Sequence, residues 1–234
     1  MNILRVIFWI IFIISIPLLL ISSTVVLELN FLPFYEYAYQ KYHISEATGF
    51  ANDQLMVITR HLIQFFNDKI TTVQLMIENN GKPMYLFHDY EIEHLNDVKV
   101  LFRYTFQVLI VTLLYCLGYL CFTRVNQNKK KWYYFWKGLR KGNILTLVLL
   151  LGLGIAIFFG FHSLFTKFHY LVFGDPRNSP WMLDPRTDYL IMMYPLNFWQ
   201  DAVILGIGVM IFTALLLIFI SSIALIKYRK RIRY

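Results

Sequence analysis

The sequence is poor in the residues that support several common kinds of protein chemistry. It contains only two cysteines, Cys116 and Cys121. On a helix they point to different faces, which argues against a disulfide, a metal pair or a nucleophile at the outer surface. There is also no Gly-x-Ser-x-Gly segment of the kind that presents a serine nucleophile. We interpret both cysteines as packing residues, and we predict neither a metal nor a cofactor.

Negative charge is scarce as well, and it is confined to certain segments. The chain has 14 Asp and Glu against 22 Lys and Arg. Every acidic residue lies in segments 30–99 and 169–198 or at the helix ends that face them, whereas segment 124–143 and the tail 227–234 carry Lys and Arg. Because positive loops stay in the cytoplasm, this pattern predicts that both termini are cytoplasmic and that all carboxylates and histidines face outward. The net charge of +8 then reflects topology and anionic lipid, and no nucleic-acid partner is predicted.

Long apolar runs are what the sequence has in abundance, with 58% hydrophobic and 18% aromatic residues. Four runs each have about the 20 residues that a helix needs to cross a bilayer. They cover approximately 4–29, 100–122, 144–168 and 199–226. The first is too long for the apolar core of a signal peptide, so we expect it to remain as an anchor. The sequence predicts one multi-pass domain of the plasma membrane over 1–234, an all-α bundle of four transmembrane helices.

Segment 30–99 predicts a small mixed layer on the extracellular side. Apolar residues near helical spacing indicate an amphipathic helix over 51–66. Two short apolar stretches, 72–77 and 84–87, flank an Asn-Gly turn at Asn80 and predict a short hairpin. From Asp89, a plausible N-cap, the pattern becomes helical and should continue unbroken into the second span.

The start of that helix places Glu91, His94 and Asp97 on one face. A Glu-x-x-His pair can orient an imidazole and raise its basicity. It is also half of a carboxylate-bridged metal motif, but only one copy is present, so metal binding is not favoured. The plainer alternative is a solvated acidic first turn with an incidental histidine.

Two histidines, His162 and His169, lie on nearly the same face at the outer end of the third span. A histidine inside a span is costly unless it faces the bundle interior, so a partner or a function is expected, although packing remains an alternative. The segment that follows is rich in turn formers and charges, and it also holds Trp181. We predict a structured lid over the helix ends, with Asp201 at the outer mouth of the last span.

These residues resemble the motifs of the lipoprotein intramolecular transacylase Lit family of Gram-positive bacteria. The family pattern E-x-x-H-[LM]-x-D-V-K is matched from Glu91 to Lys99, F-H from Phe168 and W-x-x-D-P-x-x-D from Trp181 to Asp188. The chain departs from the pattern where Tyr194-Pro195 stands for F-P, where Val172-Phe173 stands for F-F, and in a longer stretch before Trp181. Phe161-His162 also fits the F-H motif, so His162 stays an alternative to His169. The distance to Trp181 favours His169.

The resemblance implies an enzyme at the outer leaflet that acts on diacylglyceryl-modified lipoproteins within membrane lipid. It would move the sn-2 acyl chain to the α-amine of the same N-terminal cysteine and yield the lyso-form lipoprotein. It implies a histidine pair, with His169 as general base and His94 as acid or oxyanion partner, or the reverse. Glu91 or Asp97 would orient His94.

Four further residues receive supporting roles. Arg103 would stabilise the oxyanion or extend to the membrane interface. The three carboxylates that we expect to order the lid are Asp184, Asp188 and Asp201.

Two other classes of function stay open on the sequence alone. The same histidines and carboxylates could activate water in an outer-leaflet hydrolase of lipids or peptides. A non-catalytic membrane scaffold or sensor would tolerate their substitution. A transporter is less favoured, because no inverted repeat and no charged residue near the middle of a span is found.

Overall fold

The computed structural model of this chain describes residues 3–79, 82–125 and 129–232, and it is mostly helical. The elements in chain order are α1 Ile3–Leu29, α2 Leu32–Lys41, α3 Ile44–Thr48, α4 Asn52–Phe66, β1 Met76–Asn79, β2 Lys82–Tyr85, α5 Asp89–Val125, α6 Lys129–Phe158, α7 Phe161–Phe173, α8 Tyr189–Met193 and α9 Leu196–Ile232. Four of the helices, α1, α5, α6 and α9, contain stretches long and apolar enough to cross a membrane. The predicted fold class is confirmed: an all-α membrane protein with a small layer that holds one two-stranded sheet.

The chain divides into two compact units. The first contains residues 1–25, 105–156 and 205–234, and its buried centre includes Phe12, Ile16 and Phe135. Helices α1 and α6 approach closely here. A Cβ added at Gly138 would lie only 2.8 Å from Nε1 of Trp9. A larger residue at Gly138 would therefore require the side chains of Trp9 and Phe12 to shift.

The second unit contains residues 26–104 and 157–204, and it has the larger buried cluster. Helix α4 turns Leu55, Ile58 and Leu62 inward, which confirms the predicted amphipathic helix. Gln54 fixes its first turn by accepting the backbone N–H of Ala51 at 3.0 Å. Below α4, the hydroxyls of Tyr39, Thr59 and Tyr194 form a buried hydrogen-bonded group that joins α2, α4 and the segment before α9.

The predicted hairpin is present, but its strands are shifted toward the turn, and the first one is shorter than expected. β1 and β2 pair antiparallel, with Met76 opposite Tyr85 and Asn79 opposite Lys82. The predicted turn at Asn80 and Gly81 lies outside the described residues. The chain on both sides of the strands turns inward, where Val73, Leu86 and Phe87 are buried.

The helices differ from the predicted spans in three places. The helix predicted over 144–168 is divided, because α6 ends at Phe158 and α7 begins at Phe161. Gly160 between them has φ +142°, a backbone conformation that a residue with a side chain rarely adopts. The segment 124–143, predicted as a loop, is helical from Lys129 onward, and α9 extends into the predicted tail as far as Ile232. By contrast, α5 runs unbroken from Asp89 to Val125, as predicted, although Asp89 is its first residue and not its N-cap.

Candidate active site

Two buried histidines face each other in the second unit. His94 lies in the second turn of α5, and His169 lies near the end of α7. Their ring centroids are 6.0 Å apart. His94 is only 7% exposed, and His169 is only 8% exposed. His162, the alternative in the sequence, is exposed on the first turn of α7. The structure thus brings His169, and not His162, next to His94.

The tautomer of His169 follows from a single hydrogen bond. Its Nδ1 lies 2.9 Å from the carbonyl oxygen of Phe165, one helical turn earlier. Because a carbonyl can only accept, Nδ1 carries the proton and the neutral ring keeps its lone pair on Nε2. Burial lowers the pKa of His169, and this outweighs the opposite effect of the bond to Phe165. His169 is therefore a neutral imidazole near pH 7 with Nε2 available as a base.

Aromatic rings surround the pair. Phe173 lies 5.1 Å from His94 and 5.4 Å from His169, measured between ring centroids. The ring centroids of Phe165 and Trp181 lie 4.2 and 5.2 Å from that of His169. The indole of Trp181 is held in place, since its Nε1 donates to the carbonyl oxygen of Gly174 at 3.0 Å. These rings shield most of His169 from solvent, since it is only 8% exposed, and they lower the local dielectric constant.

One buried polar atom of His94 lacks a hydrogen-bond partner in the described part of the chain. Its Nδ1 is buried and has no hydrogen-bond partner among the residues that the structure describes. Buried polar atoms of this kind are uncommon and call for an explanation, since leaving them unpaired costs free energy. A ring that packs against Phe173 and keeps a nitrogen unused is suited to meet a polar group of a substrate.

Glu91 does not orient His94, contrary to the prediction. Its side chain is fully buried, and Oε2 accepts the backbone N–H of His88 at 2.8 Å and lies 3.0 Å from the ring Nδ1 of the same residue. Oε1 accepts the backbone N–H of Leu190 at 2.9 Å. Glu91 thus completes half of a capping box at the start of α5 and links this end to α8.

Asp97 also has a different partner from the one predicted. Its Oδ2 accepts a hydrogen bond from Oγ of Ser179 at 2.8 Å. No hydrogen bond joins Asp97 to His94 in the described part of the chain. Asp97 therefore forms its hydrogen bond with the segment 174–188, called the outer loop below, and acts on the imidazole of His94 only through its charge.

Asp188 and Asp184, two of the three other predicted carboxylates, hold nearby backbone and side-chain groups in place. Oδ2 of Asp188 accepts the N–H of Asp184 at 2.7 Å, and Oδ1 accepts from the hydroxyl of Tyr90 at 2.6 Å. Burial acts to raise the pKa of Asp188, but these hydrogen bonds and that of Thr187 prevail, so the pKa is lowered and the group is ionised. The guanidinium of Arg186 holds the pKa of Asp184 below its usual range.

Asp201 and Arg103 form ion pairs with residues other than the two histidines. Asp201 accepts hydrogen bonds from Nζ of Lys41 at 2.5 Å and from the hydroxyl of Tyr42 at 2.7 Å. Arg103 binds Asp68 through Nε at 2.8 Å and through a terminal nitrogen at 2.6 Å. This exposed ion pair gives no support to an oxyanion role for Arg103, whereas its extension to the membrane interface stays a prediction. Asp201 likewise anchors α2 rather than the outer loop.

His88, Tyr90 and Ser179 are contacts of the site that the sequence did not reveal. One ligand atom each of His88, Glu91 and Asp188 falls within 4.8 Å of the others, a spacing that could suit a metal ion. Each carboxylate oxygen of the two acids already accepts a protein N–H or O–H, however. A metal would have to displace these bonds, so we interpret the group as a hydrogen-bonded cluster. The i, i+3 spacing of His88 and Glu91 was the one signal for it in the sequence.

The model of the family described as "Lipoprotein intramolecular transacylase Lit" matches residues 10–199. The chain belongs to the Lit family. This confirms the family that the motifs around His94, His169 and Trp181 predicted, and with it an enzyme class of acyl-transferring membrane proteins.

Solved structures of Lit from Bacillus cereus have the same fold. One covers 99% of this chain and 100% of its own, with a TM-score of 0.80 and 19% sequence identity. Two variants of that protein, each with one histidine replaced, give TM-scores of 0.75 at 18% identity, over 94% of their chains and 97% or 96% of this one. An uncharacterized protein of Aquifex aeolicus (strain VF5) is 31% identical over 123 residues, 52% of this chain. That match spans about half (49%) of the length of the Aquifex protein.

Proposed function

We propose that this Lit-family protein is an intramolecular acyltransferase. It would move the sn-2 acyl chain of a diacylglyceryl-cysteine lipoprotein to the α-amine of the same N-terminal cysteine, and so form the lyso-form lipoprotein. The observation that carries this proposal is the neutral His169, whose Nδ1–H is held by Phe165 while Nε2, beside the buried His94, has no hydrogen bond to any residue that the structure describes. Family membership supplies the reaction class.

In the proposed step, Nε2 of His169 takes a proton from the α-amine as the amine nitrogen attacks the ester carbonyl carbon. A C–N bond forms, and the bond from the carbonyl carbon to the sn-2 oxygen breaks. The proton returns to that oxygen directly or through His94, so both imidazoles end neutral. His94 would also stabilise the oxyanion by donating a hydrogen bond. Atoms and charge balance without a further reactant.

The reaction requires no nucleophile from the protein. Amine and ester belong to one substrate molecule, so holding them in a reactive geometry can remove roughly 7–11 kcal/mol of the barrier at best. The aromatic rings around His169 support transfer over hydrolysis, because they restrict the access of water to the same carbonyl. Lipoproteins and the surrounding lipids are then the partners.

The distribution of charge supports a location for the site. We assign both termini and the segment 124–143 to the cytoplasm, since these carry Lys and Arg and no acidic residue. His94, His169 and the outer loop then lie at the outer leaflet. This is also the face on which a lipid-anchored protein presents its N-terminal cysteine.

The test is mass spectrometry of a synthetic diacylglyceryl-cysteine lipopeptide whose sn-2 chain is isotopically labelled. With the purified wild-type protein in detergent we expect the labelled chain on the amine, in a product of unchanged mass. The label as free fatty acid would show a lipase instead, and unchanged substrate would favour a scaffold. A lipopeptide with a blocked amine is the matched control and should not react.

A further inference from the structure

The face of α5 that contains His94 also contains two carboxylates, one on each side of it. Glu91 precedes His94 by three residues, and Asp97 follows it by three. Positions three apart are neighbours on a helix surface, so the three side chains form one row. We propose that Glu91 and Asp97 are positioning residues which hold the outer loop over the two histidines and thereby favour acyl transfer over hydrolysis. This inference rests on the proposed function.

The first attachment is at Asp97. Its Oδ2 accepts the hydroxyl of Ser179 at 2.8 Å in a half-buried environment. Two residues farther along the outer loop, Trp181 is buried against His169. Because so short a segment separates them, the bond to Asp97 limits how far Trp181 can move from the imidazole.

The second attachment is at the other end of the outer loop. Glu91 accepts the N–H of Leu190, and Asp188 accepts the hydroxyl of Tyr90 at 2.6 Å. Both bonds join the start of α5 to the segment that enters α8. Asp188 also accepts the N–H of Asp184, so the turn at the end of the outer loop is closed as well. The loop is therefore fixed to α5 before and after the position of His94.

A loop held in this way has a direct chemical consequence. If Trp181 moved away, water could reach the ester carbonyl next to His169. The water oxygen would attack the carbonyl carbon in place of the amine, and a water proton would pass to Nε2 of His169. The sn-2 oxygen would then leave and take up that proton. The products would be a free fatty acid and a monoacyl lipopeptide with an unmodified amine. The ratio of labelled fatty acid to labelled N-acyl product thus reports how well the loop excludes water.

The experiment uses the labelled lipopeptide with the full-length wild type and three variants. Ser179→Ala and Asp97→Ala each remove the bond between the loop and α5. Arg177→Ala is the matched control, because Arg177 lies in the same loop but pairs with Asp175 in its own turn. From the net contribution of one hydrogen bond, we expect Ser179→Ala and Asp97→Ala to raise the ratio of hydrolysis to transfer roughly threefold to tenfold. Arg177→Ala should leave it at the wild-type value.

A double variant adds a readout that general destabilisation would not give. Because Ser179 and Asp97 act through one bond, combining the two changes should raise the ratio no further than either change alone. If transfer and hydrolysis fall in parallel at a constant ratio, or if Arg177→Ala raises the ratio equally, the inference is overturned. If the wild type itself transfers no label to the amine, the proposed function fails instead.

Discussion

At the scale of single residues, the bond between Nδ1 of His169 and the carbonyl of Phe165 has the clearest consequence. It fixes one tautomer, and burial keeps the ring neutral. A neutral base can take a proton at once, whereas an imidazolium must first lose one. The environment of His169 therefore matches the role of general base.

The titration of His169 is a prediction of this arrangement. Because desolvation disfavours the charged ring, its pKa should lie below the ordinary value of 6.5. The neutral base then persists as pH falls through 6.5 and is lost only at the lower pKa. Nitrogen-15 NMR of labelled histidine in micelles would measure the midpoint, with His169→Gln to assign the signal. A midpoint at or above 6.5 would contradict the assigned environment.

Arg103 provides a prediction of the opposite kind. Its guanidinium forms two hydrogen bonds with Asp68 at an exposed site, so it is not available to an oxyanion at His169. We expect Arg103→Gln to keep acyl transfer within about twofold of wild type, with a small change in thermal midpoint, because exposed ion pairs contribute little. Initial rates with the labelled lipopeptide would measure it. A loss of a hundredfold or more would restore Arg103 to the reaction.

Which residues form the site was easier to predict than what each one contacts. The motif positions His94, His169 and Trp181 do meet. The assignment of Glu91 to His94 was wrong. Helical spacing shows which side chains of one helix lie close together, but it does not show which groups from distant parts of the chain form hydrogen bonds with them. Leu190 and Ser179 come from 99 and 82 residues away, and no local pattern indicates such contacts.

At the scale of elements, α5 was predictable and the third span was not. Unbroken helical periodicity from Asp89 onward correctly indicated one long helix. The same periodicity through Gly160 failed to indicate the break before α7, because a glycine is compatible both with a continuous helix and with φ +142°. The break has a functional consequence, since His169 lies on α7, the short helix after it, and not on α6.

Helix α4 should contribute strongly to the stability of the layer that contains the site. Leu62 is buried in its core, so Leu62→Ala should lower the free energy of unfolding by about 2–5 kcal/mol. Val57 on the exposed face of the same helix is the control. Val57→Ala should change the free energy of unfolding by less than about 0.5 kcal/mol. Denaturant titration in micelles would compare the two. Equal effects would mean that α4 does not pack as described.

At the scale of the whole molecule, the charge pattern predicts sidedness. By the positive-inside rule, we expect the carboxylates and histidines on one face of the membrane and the basic segment before residue 144 on the other. Fold class, family and the number of apolar spans were all accessible from the sequence because each depends on composition or motif. Sidedness rests on charge alone and can be measured directly.

Cysteine labelling of intact cells tests that arrangement. In a background with Cys116 and Cys121 replaced, Glu36→Cys should react with a membrane-impermeant maleimide from outside. Lys141→Cys should react only after the cells are permeabilised. Both positions are exposed, so the difference would come from the side of the membrane. The reverse pattern would place the histidine pair on the cytoplasmic face.

The central claim is that His94 and His169 carry out acyl transfer together, and one comparison tests it most directly. His169→Ala and His162→Ala would be assayed side by side with the lipopeptide labelled on its sn-2 chain. His162 and His169 lie on the same helix, but His169 is buried next to His94 whereas His162 is exposed. We expect His169→Ala to lower the formation of N-acyl product by at least about a hundredfold, in line with the loss of a general base. His162→Ala should retain wild-type activity. Full activity of His169→Ala, or a loss confined to His162→Ala, would contradict the assignment.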